Sequence, residues 1–300
     1  GCGKTTLTRM LNGLIPQYYE GEFSGGVRVC GLDTAKAELY ETARVVGSVF
    51  QNPRSQFFCV DVTSEIAFGC ENFGMPEEIV CMRIADAARE VGVESLLGQN
   101  IFHLSGGQKQ KVACASVAAV RPDVFVLDEP TSNLDVATIR RLGQILLRWK
   151  AQGRTIVIAE HRLGWLRGVC DRVVYLRDGE IALDCAMNDF LRIPPKELIS
   201  MGLRAVTTCK TARSEPMSDW GDTIGVQNLR VSYSSEHPAL EIDALALPKG
   251  GVIAVIGDNG AGKTTLARCL CGLEKRSKGD IRYDGRKQKR RELLKKSYLV

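Results

Sequence analysis

The run Gly257-Asp258-Asn259-Gly260-Ala261-Gly262-Lys263-Thr264-Thr265 spaces glycines, a lysine and hydroxyls as G-x-x-x-x-G-K-[ST]. Glycines let a backbone curl until successive N–H groups point at phosphate oxygens, and a following helix adds its positive end. In this pattern Gly257, Asn259, Gly260 and Gly262 build the cradle. Lys263 reaches the terminal phosphates, the Thr264 hydroxyl sits on Mg²⁺, and Thr265 follows it. The chemistry implied is nucleotide binding.

The pattern occurs twice. Residues 3–14 match residues 262–273 at nine of twelve positions, an offset of 259 residues that marks two copies of one domain. Gly1, Gly3, Lys4, Thr5 and Thr6 stand where Gly260, Gly262, Lys263, Thr264 and Thr265 stand in the second copy, so Thr5 is a second Mg²⁺ candidate. The first loop lacks its opening glycine and preceding strand, and the N-terminus therefore reads as a truncation.

A second constellation is acidic. Val124-Phe125-Val126-Leu127 runs into Asp128-Glu129-Pro130, an apolar strand delivering carboxylates at its C-terminal end, where α/β sheets place ligand sites. Asp128 is positioned to hold Mg²⁺ and Glu129 to act as general base toward an attacking water. The strand Thr155–Ala159 ends at Glu160-His161 and brings His161 to the same sheet edge.

These residues need a scaffold. Residues 252–256 read as a buried strand before the complete loop, with a helix over Leu266–Leu273 after it; a matching helix spans Lys4–Leu14. Gly25–Gly31 reads as a short strand, and Val45–Phe50 as another that ends at Gln51-Asn52-Pro53 because Pro53 cannot pair further. Phe57, Phe58, Phe68 and Phe73 follow, suited either to a helical core or to docking a hydrophobic partner. Residues 78–97 carry Ile79, Met82, Ala85, Ala88 and Val91 at helical spacing. Ser105 caps a helix through Val120, Arg172–Cys185 forms a hairpin across Asp178-Gly179, and Asn188 caps a last short helix. Periodicity fades over 201–221. The organisation is thus a first domain over 1–200, a linker over 201–221 and the start of a second domain over 222–300, with strands at 224–233 and 239–247.

Composition sets outer bounds. A chain that is 44% hydrophobic and 25% charged has no signature of disorder. Its longest apolar run, Val112–Val120, is too short for a membrane span. Eleven cysteines without CxxC pairs suit small core residues better than disulfides or metal. Residues 274–296 hold eleven Lys/Arg against four Asp/Glu, so the chain's net +5 comes from one segment. That segment is either a solvated face or a surface for phosphates of nucleic acid or lipid.

Taken in order, these motifs resemble the ATP-binding cassette (ABC) ATPases, and among them the tandem ATPase subunits of energy-coupling factor (ECF) importers. Leu104-Ser105-Gly106-Gly107-Gln108 resembles the family's signature, Val124–Glu129 its Walker B strand, and Ser132-Asn133-Leu134-Asp135 its D-loop. The resemblance implies that Ser105, Gly106, Gly107, Gln108 and Asp135 contact nucleotide. It further implies that Gln51 touches Mg²⁺ and senses a membrane subunit, that His161 contacts the γ-phosphate, and that Tyr233 stacks on adenine. The ECF subtype rests on Phe50–Pro53, Gln56–Phe58 and Ala67–Asn72.

What the resemblance implies overall is an α/β P-loop NTPase with a mixed sheet core and a helical subdomain, duplicated, the second copy incomplete. Its cofactors would be ATP and Mg²⁺. Its partners would be a transmembrane coupling protein, a substrate-binding membrane protein and the second ABC domain, at the cytoplasmic face of the membrane. In such ATPases two cassettes close head to tail over nucleotide, which would pair Lys263 and Thr264 with Ser105 and Gly107 and leave each site of this chain half built, weak or inactive alone. The resulting function is an ATPase energising micronutrient import. The alternatives are a soluble tandem ABC protein acting on ribosomes or nucleic acid, toward which the linker is not basic enough, and a non-functional fragment.

Overall fold

Three short apolar strands, Val46–Val49 (β1), Val124–Asp128 (β2) and Thr155–Ala159 (β3), form a parallel sheet in the order β1-β2-β3. Val49 lies opposite Leu127, and Asp128 opposite Ala159. β2 is buried along its whole length, which is why it reads as a continuous apolar run rather than an alternating one. Because the strands run the same way, the residues just past their ends emerge at one edge: Gln51 after β1, Glu129 after β2, His161 after β3. The structure, a computed structural model, describes all residues except 1, 133, 204–222, 234–237, 249, 251–252, 258–259, 276 and 299–300. The chain divides into two units, Gly1–Cys209 and Lys210–Val300. The expected linker and the start of the expected second domain at Asp222 lie almost wholly outside the described residues.

In the first unit Lys4–Leu11 (α1) packs on β2 and β3. It stops short of the expected Leu14 because Gly13 turns the chain with a φ of 78°. Val62–Asn72 (α2), Glu77–Val91 (α3) and Gly106–Val120 (α4) pack against one another as a helical layer, joined to the sheet by a core that includes Ile66, Ala88, Val112 and Leu127. Val136–Ala151 (α5) follows β2, and its Trp149 stacks on Phe125 with ring centroids 3.9 Å apart. Arg172–Arg177 (β4) and Glu180–Ala186 (β5) form the expected hairpin, with Asp178 and Gly179 both at positive φ as a type I′ turn requires.

Two local expectations are corrected here. α3 buries Val80, Ala87, Ala88 and Val91, whereas Ile79, Met82 and Ala85 face solvent, and Gly92 ends the helix well before residue 97. The expected positions, three residues apart, drift around a 3.6-residue turn, so Ala88 and Val91 fall on the face packed against α4 and Ile79, Met82 and Ala85 do not. Asn188 does not cap; it lies inside the short helix Met187–Phe190, whose N-cap is Ala186.

The second unit contains Thr223–Val231 (β6), Leu240–Pro248 (β7), Lys263–Leu270 (α6), Lys278–Tyr283 (β8), Arg286–Lys287 (β9) and Arg290–Lys296 (α7). Its sheet is antiparallel, in the order β9-β8-β6-β7, and Val226, Leu229, Leu266, Ile281 and Leu293 share a core. The buried strand expected before the complete phosphate loop is not found. Residues 253–256 pair with no strand and are exposed, Ile256 at 89%. An apolar run becomes a strand only where a neighbouring strand accepts and donates its backbone hydrogen bonds, and the described sheet of this unit does not include it.

Ten cysteines among the described residues are free thiols. Burial pushes Cys114 up to about 12. No helix among the described residues is long and apolar enough to cross a membrane.

Candidate active site

Glu129 is the centre of the sheet edge. Its backbone takes a φ of 45°, a left-handed conformation that costs a non-glycine residue about 1–3 kcal/mol and is retained where function or surrounding bonds demand it. The surrounding bonds come from the two flanking strand ends. The Glu129 N–H donates to the Ala159 carbonyl at 2.8 Å. Gln51 Nε2 donates to Glu129 Oε2 at 2.9 Å, and His161 Nε2 lies 2.6 Å from Glu129 Oε1. A carboxylate can only accept, so the shared hydrogen belongs to Nε2 of the imidazole. Thus Gln51, Glu129 and His161, distant in sequence, meet in one hydrogen-bonded set.

Asp128, one residue earlier, points its side chain to the other face of the strand. It is 8% exposed, and its Oδ1 is buried without a hydrogen-bond partner. An unpaired buried carboxylate oxygen is costly unless a cation meets it. The residues therefore fit Mg²⁺: a buried carboxylate oxygen with no partner one residue before Glu129, and Gln51, whose amide hydrogen is given to Glu129 and whose amide oxygen is left for a ligand.

Three further residues, not singled out by sequence reasoning for this role, hold the edge together. The Glu160 carboxylate accepts from the Thr131 hydroxyl at 2.5 Å and from the backbone N–H groups of His161 and Arg162 at 2.8 and 3.0 Å. The Arg162 guanidinium donates to the carbonyls of Ser132 and Leu134 at 3.2 and 3.5 Å. His161 is thus carried on a loop tied to the segment after Glu129. The only sequence signal was an acid directly before His161.

Both phosphate loops end in the same local geometry. Gly3 and Gly262 occupy the N-cap positions of α1 and α6 with φ of 93° and 87°, and neither helix has an acid in its first turn. At Gly262 a β-carbon would stand 2.8 Å from the Ala239 carbonyl oxygen, so glycine is required by space as well as by φ. Lys263 Nζ donates to the Gly257 carbonyl at 2.7 Å, and Lys4 Nζ to Cys2 Sγ at 3.2 Å. Thr264 is exposed and Thr265 buried; Thr5 is half-buried and Thr6 exposed. Gly260 is at positive φ. Gly1 and Asn259, together with Asn133, lie outside the described residues.

The signature segment caps α4. Ser105 Oγ accepts from the Gln108 N–H at 3.3 Å, and Gln108 Oε1 accepts from the Ser105 N–H at 2.8 Å, so the Gln108 side chain serves the helix end. Ser105 and Gly106 are exposed, while Gly107 is buried where a β-carbon would come within 3.2 Å of Thr138 Oγ1 on α5. Asp135 caps α5 by accepting from the Thr138 N–H at 2.7 Å. In the second unit Tyr233 lies just past β6 and donates its hydroxyl to Glu274 at 2.8 Å.

The ABC transporter family profile matches residues 1–132 and 240–299. The chain belongs to the ABC transporter family. A Treponema denticola protein named as an ABC transporter ATP-binding protein is 43% identical over an alignment covering 100% of this chain and 63% of that protein. A Methanosarcina acetivorans protein of the same description is 32% identical, covering 95% of this chain and 54% of its own length. The chain therefore spans roughly three fifths of the ABC relatives it matches. Among solved structures, CbiO1 from Clostridium perfringens, described as part of the ABC transporter complex CbiONQ, aligns with a TM-score of 0.58 at 30% identity, over 66% of this chain and 78% of its own. The ATP-binding cassette MJ0796, solved as a dimer with ADP and phosphate, aligns with a TM-score of 0.54 at 24% identity, over 62% of this chain and 81% of its own, and shows the shared P-loop NTPase fold.

Proposed function

We propose that this chain is the larger part of an ATP-hydrolysing subunit that energises import of a micronutrient, a vitamin or metal ion, through ECF-type membrane partners. The observation that carries the hydrolytic reading is the grip of Gln51 and His161 on Glu129. Each carboxylate oxygen keeps a second lone pair, so Glu129 can take a proton from a water while Gln51 and His161 hold its plane fixed. Lys4 and Lys263 bind terminal phosphates at the N-termini of α1 and α6, and Tyr233 offers an aromatic face for adenine. Asp128, Gln51 and the Thr5 hydroxyl would hold Mg²⁺ in the first domain, and the Thr264 hydroxyl would serve the second loop in the same way; the ion would neutralise phosphate charge. Ser105, Gly106 and Gly107, at the N-terminus of α4, present backbone N–H groups to a nucleotide seated in a facing cassette, and Asp135 orients the segment between.

The transport reading draws on the face next to Gln51. Phe58 is 75% exposed and stacks on Phe68 at 4.9 Å, and Val60 and Phe102 are also exposed. A stacked aromatic pair left in water beside a site residue suits a hydrophobic partner helix. The likeness to CbiO1, part of the ABC transporter complex CbiONQ, supports a place in a transporter complex. The nucleic-acid alternative is weaker, because part of the basic segment is engaged internally: Asp280 pairs with Lys287 at 2.5 Å and Arg282 at 3.6 Å, and Lys296 lies over the Tyr283 ring. Purification of the intact protein from its native membrane tests the assignment. Stoichiometric integral membrane subunits are the expected result; salt-sensitive RNA in their place would overturn it.

A further inference from the structure

A cavity of about 530 Å³ opens between α3, α4, α5 and the start of β2, and none of Gln51, Asp128, Glu129 or His161 lines it. Phe125 forms part of its wall, four residues before Glu129 and so roughly 13 Å back along the strand from the hydrolytic edge. Its volume is that of an ordinary metabolite pocket.

The lining is dominated by guanidinium groups. Arg83 and Arg89 come from α3, Arg148 from α5, and Arg121 and Arg154 from the segments flanking β2, against the two acids Asp86 and Glu90. Those acids do not balance them. Asp86 is shared between Arg121 at 2.9 Å and Arg89 at 3.4 Å, and Glu90 accepts instead from Gln152 at 2.8 Å. Arg154 reaches Asp123 at 2.9 Å. Arg83 and Arg148 meet only backbone carbonyls, of Ala119 for the first and of Glu90 and Gln144 for the second.

Two donors here have no acceptor at all. Arg83 Nε and Trp149 Nε1 are buried without a hydrogen-bond partner, in an indole side chain that is 1% exposed for the latter. Clustered like charges repel unless anions lie among them, and here five guanidinium groups outnumber the acids that line the cavity with them. Burial and the neighbouring Arg121 and Arg154 lower the proton affinity of Arg83, which is the electrostatic signature of that surplus.

We propose that this cavity binds a small multivalent oxyanion, an organic phosphate or polycarboxylate, separately from the nucleotide loops. Bidentate guanidinium contacts would hold the anionic groups, and the Phe125–Trp149 pair would border the carbon skeleton. Because α4 is capped by Ser105 and β2 ends at Asp128, just before Glu129, the bound anion would brace the helical layer against the strand that leads to Glu129.

The test uses Trp149 as the reporter. In the chain carrying Trp165→Phe and Trp220→Phe it is the remaining tryptophan. Inorganic pyrophosphate and citrate, titrated separately, distinguish a phosphate from a carboxylate source. A saturable change in Trp149 emission is expected for at least one of them. It should weaken about tenfold or more in Arg148→Gln and in Arg83→Gln, and persist in Lys4→Ala/Lys263→Ala. Calorimetric titration of the Lys4→Ala/Lys263→Ala chain, with its own tryptophans, gives the same answer if the reporter chain folds poorly. The proposal is overturned if neither anion binds in either format at millimolar concentration. It is equally overturned if binding survives the arginine substitutions and disappears with the lysine ones.

Discussion

His161 Nε2 and Glu129 Oε1 stand 2.6 Å apart, across the ends of neighbouring parallel strands. The contact is possible because β2 and β3 run in the same direction with Asp128 opposite Ala159, so Glu129, one residue past its strand, and His161, two past the neighbouring one, leave the sheet at the same edge. A one-residue slip in that register would separate them. The first prediction concerns this pair. His161→Ala should lower ATP turnover by about two orders of magnitude while ATP affinity stays within about threefold, since the imidazole orients the base rather than supplying most of the binding. Parallel measurements of nucleotide binding and phosphate release in the intact protein check it.

Asp128 gives a prediction of the opposite sign for stability. Its buried Oδ1 has no partner, so without metal the charge is a liability. Asp128→Asn should therefore hold or raise the melting temperature in EDTA. The same substitution should remove most of the added stabilisation that Mg²⁺ with ATP brings to the unsubstituted protein. Thermal melts with EDTA, with ATP, and with ATP plus Mg²⁺ read both effects.

Glu65 makes stability depend on pH. It is buried, and Oε2 accepts from the Phe58 and Cys59 N–H groups at 2.9 and 2.8 Å. Burial outweighs those bonds and lifts its carboxyl above the ordinary 4.5. The folded state then binds the proton more tightly than the unfolded one. This contribution to stability is full below 4.5 and is lost as pH rises from there through the folded value. Glu65→Gln keeps an acceptor oxygen and should flatten that slope without loss at neutral pH. Glu65→Ala leaves two N–H groups without an acceptor and should cost about 2–4 kcal/mol. Denaturant titrations across this range distinguish the two.

Phe58 separates folding from docking. Its ring is exposed apart from the stack on Phe68, so Phe58→Ser should cost only about 0.5–1.5 kcal/mol of stability. Retention of membrane partners on an affinity-tagged subunit should fall about tenfold or more if this ring is an interface anchor. Unchanged retention would place the interface elsewhere.

The glycine–lysine loops and the acidic end of β2 are legible because their signals are local. Gly-Lys-Thr-Thr before a helix, and four apolar residues running into Asp128-Glu129, each carry their chemistry within a few positions. His161 is placed at the sheet edge by its strand, but its role, like that of Gln51, comes only through the family resemblance, since a glutamine or histidine after a strand has no distinctive spacing. Glu160, Thr131 and Arg162 stayed hidden because their bonds depend on how two loops meet. The apolar run at 253–256 shows the same limit from the other side: hydrophobicity marks a segment fit for a strand and says nothing of the neighbours it must bond to. On α3 the expected face holds at Ala88 and Val91 but not at its start, where contact with α4 buries Val80 rather than Ile79.

The central claim is that Glu129, held by Gln51 and His161, is the base that activates water. Single-turnover ATP hydrolysis by the intact protein carrying Glu129→Gln tests it most directly, alongside ATP affinity measured on the same sample. The account predicts affinity within about threefold of the unsubstituted protein and ADP formation slowed by about two to four orders of magnitude. Turnover at the unsubstituted rate, with nucleotide bound, would contradict it.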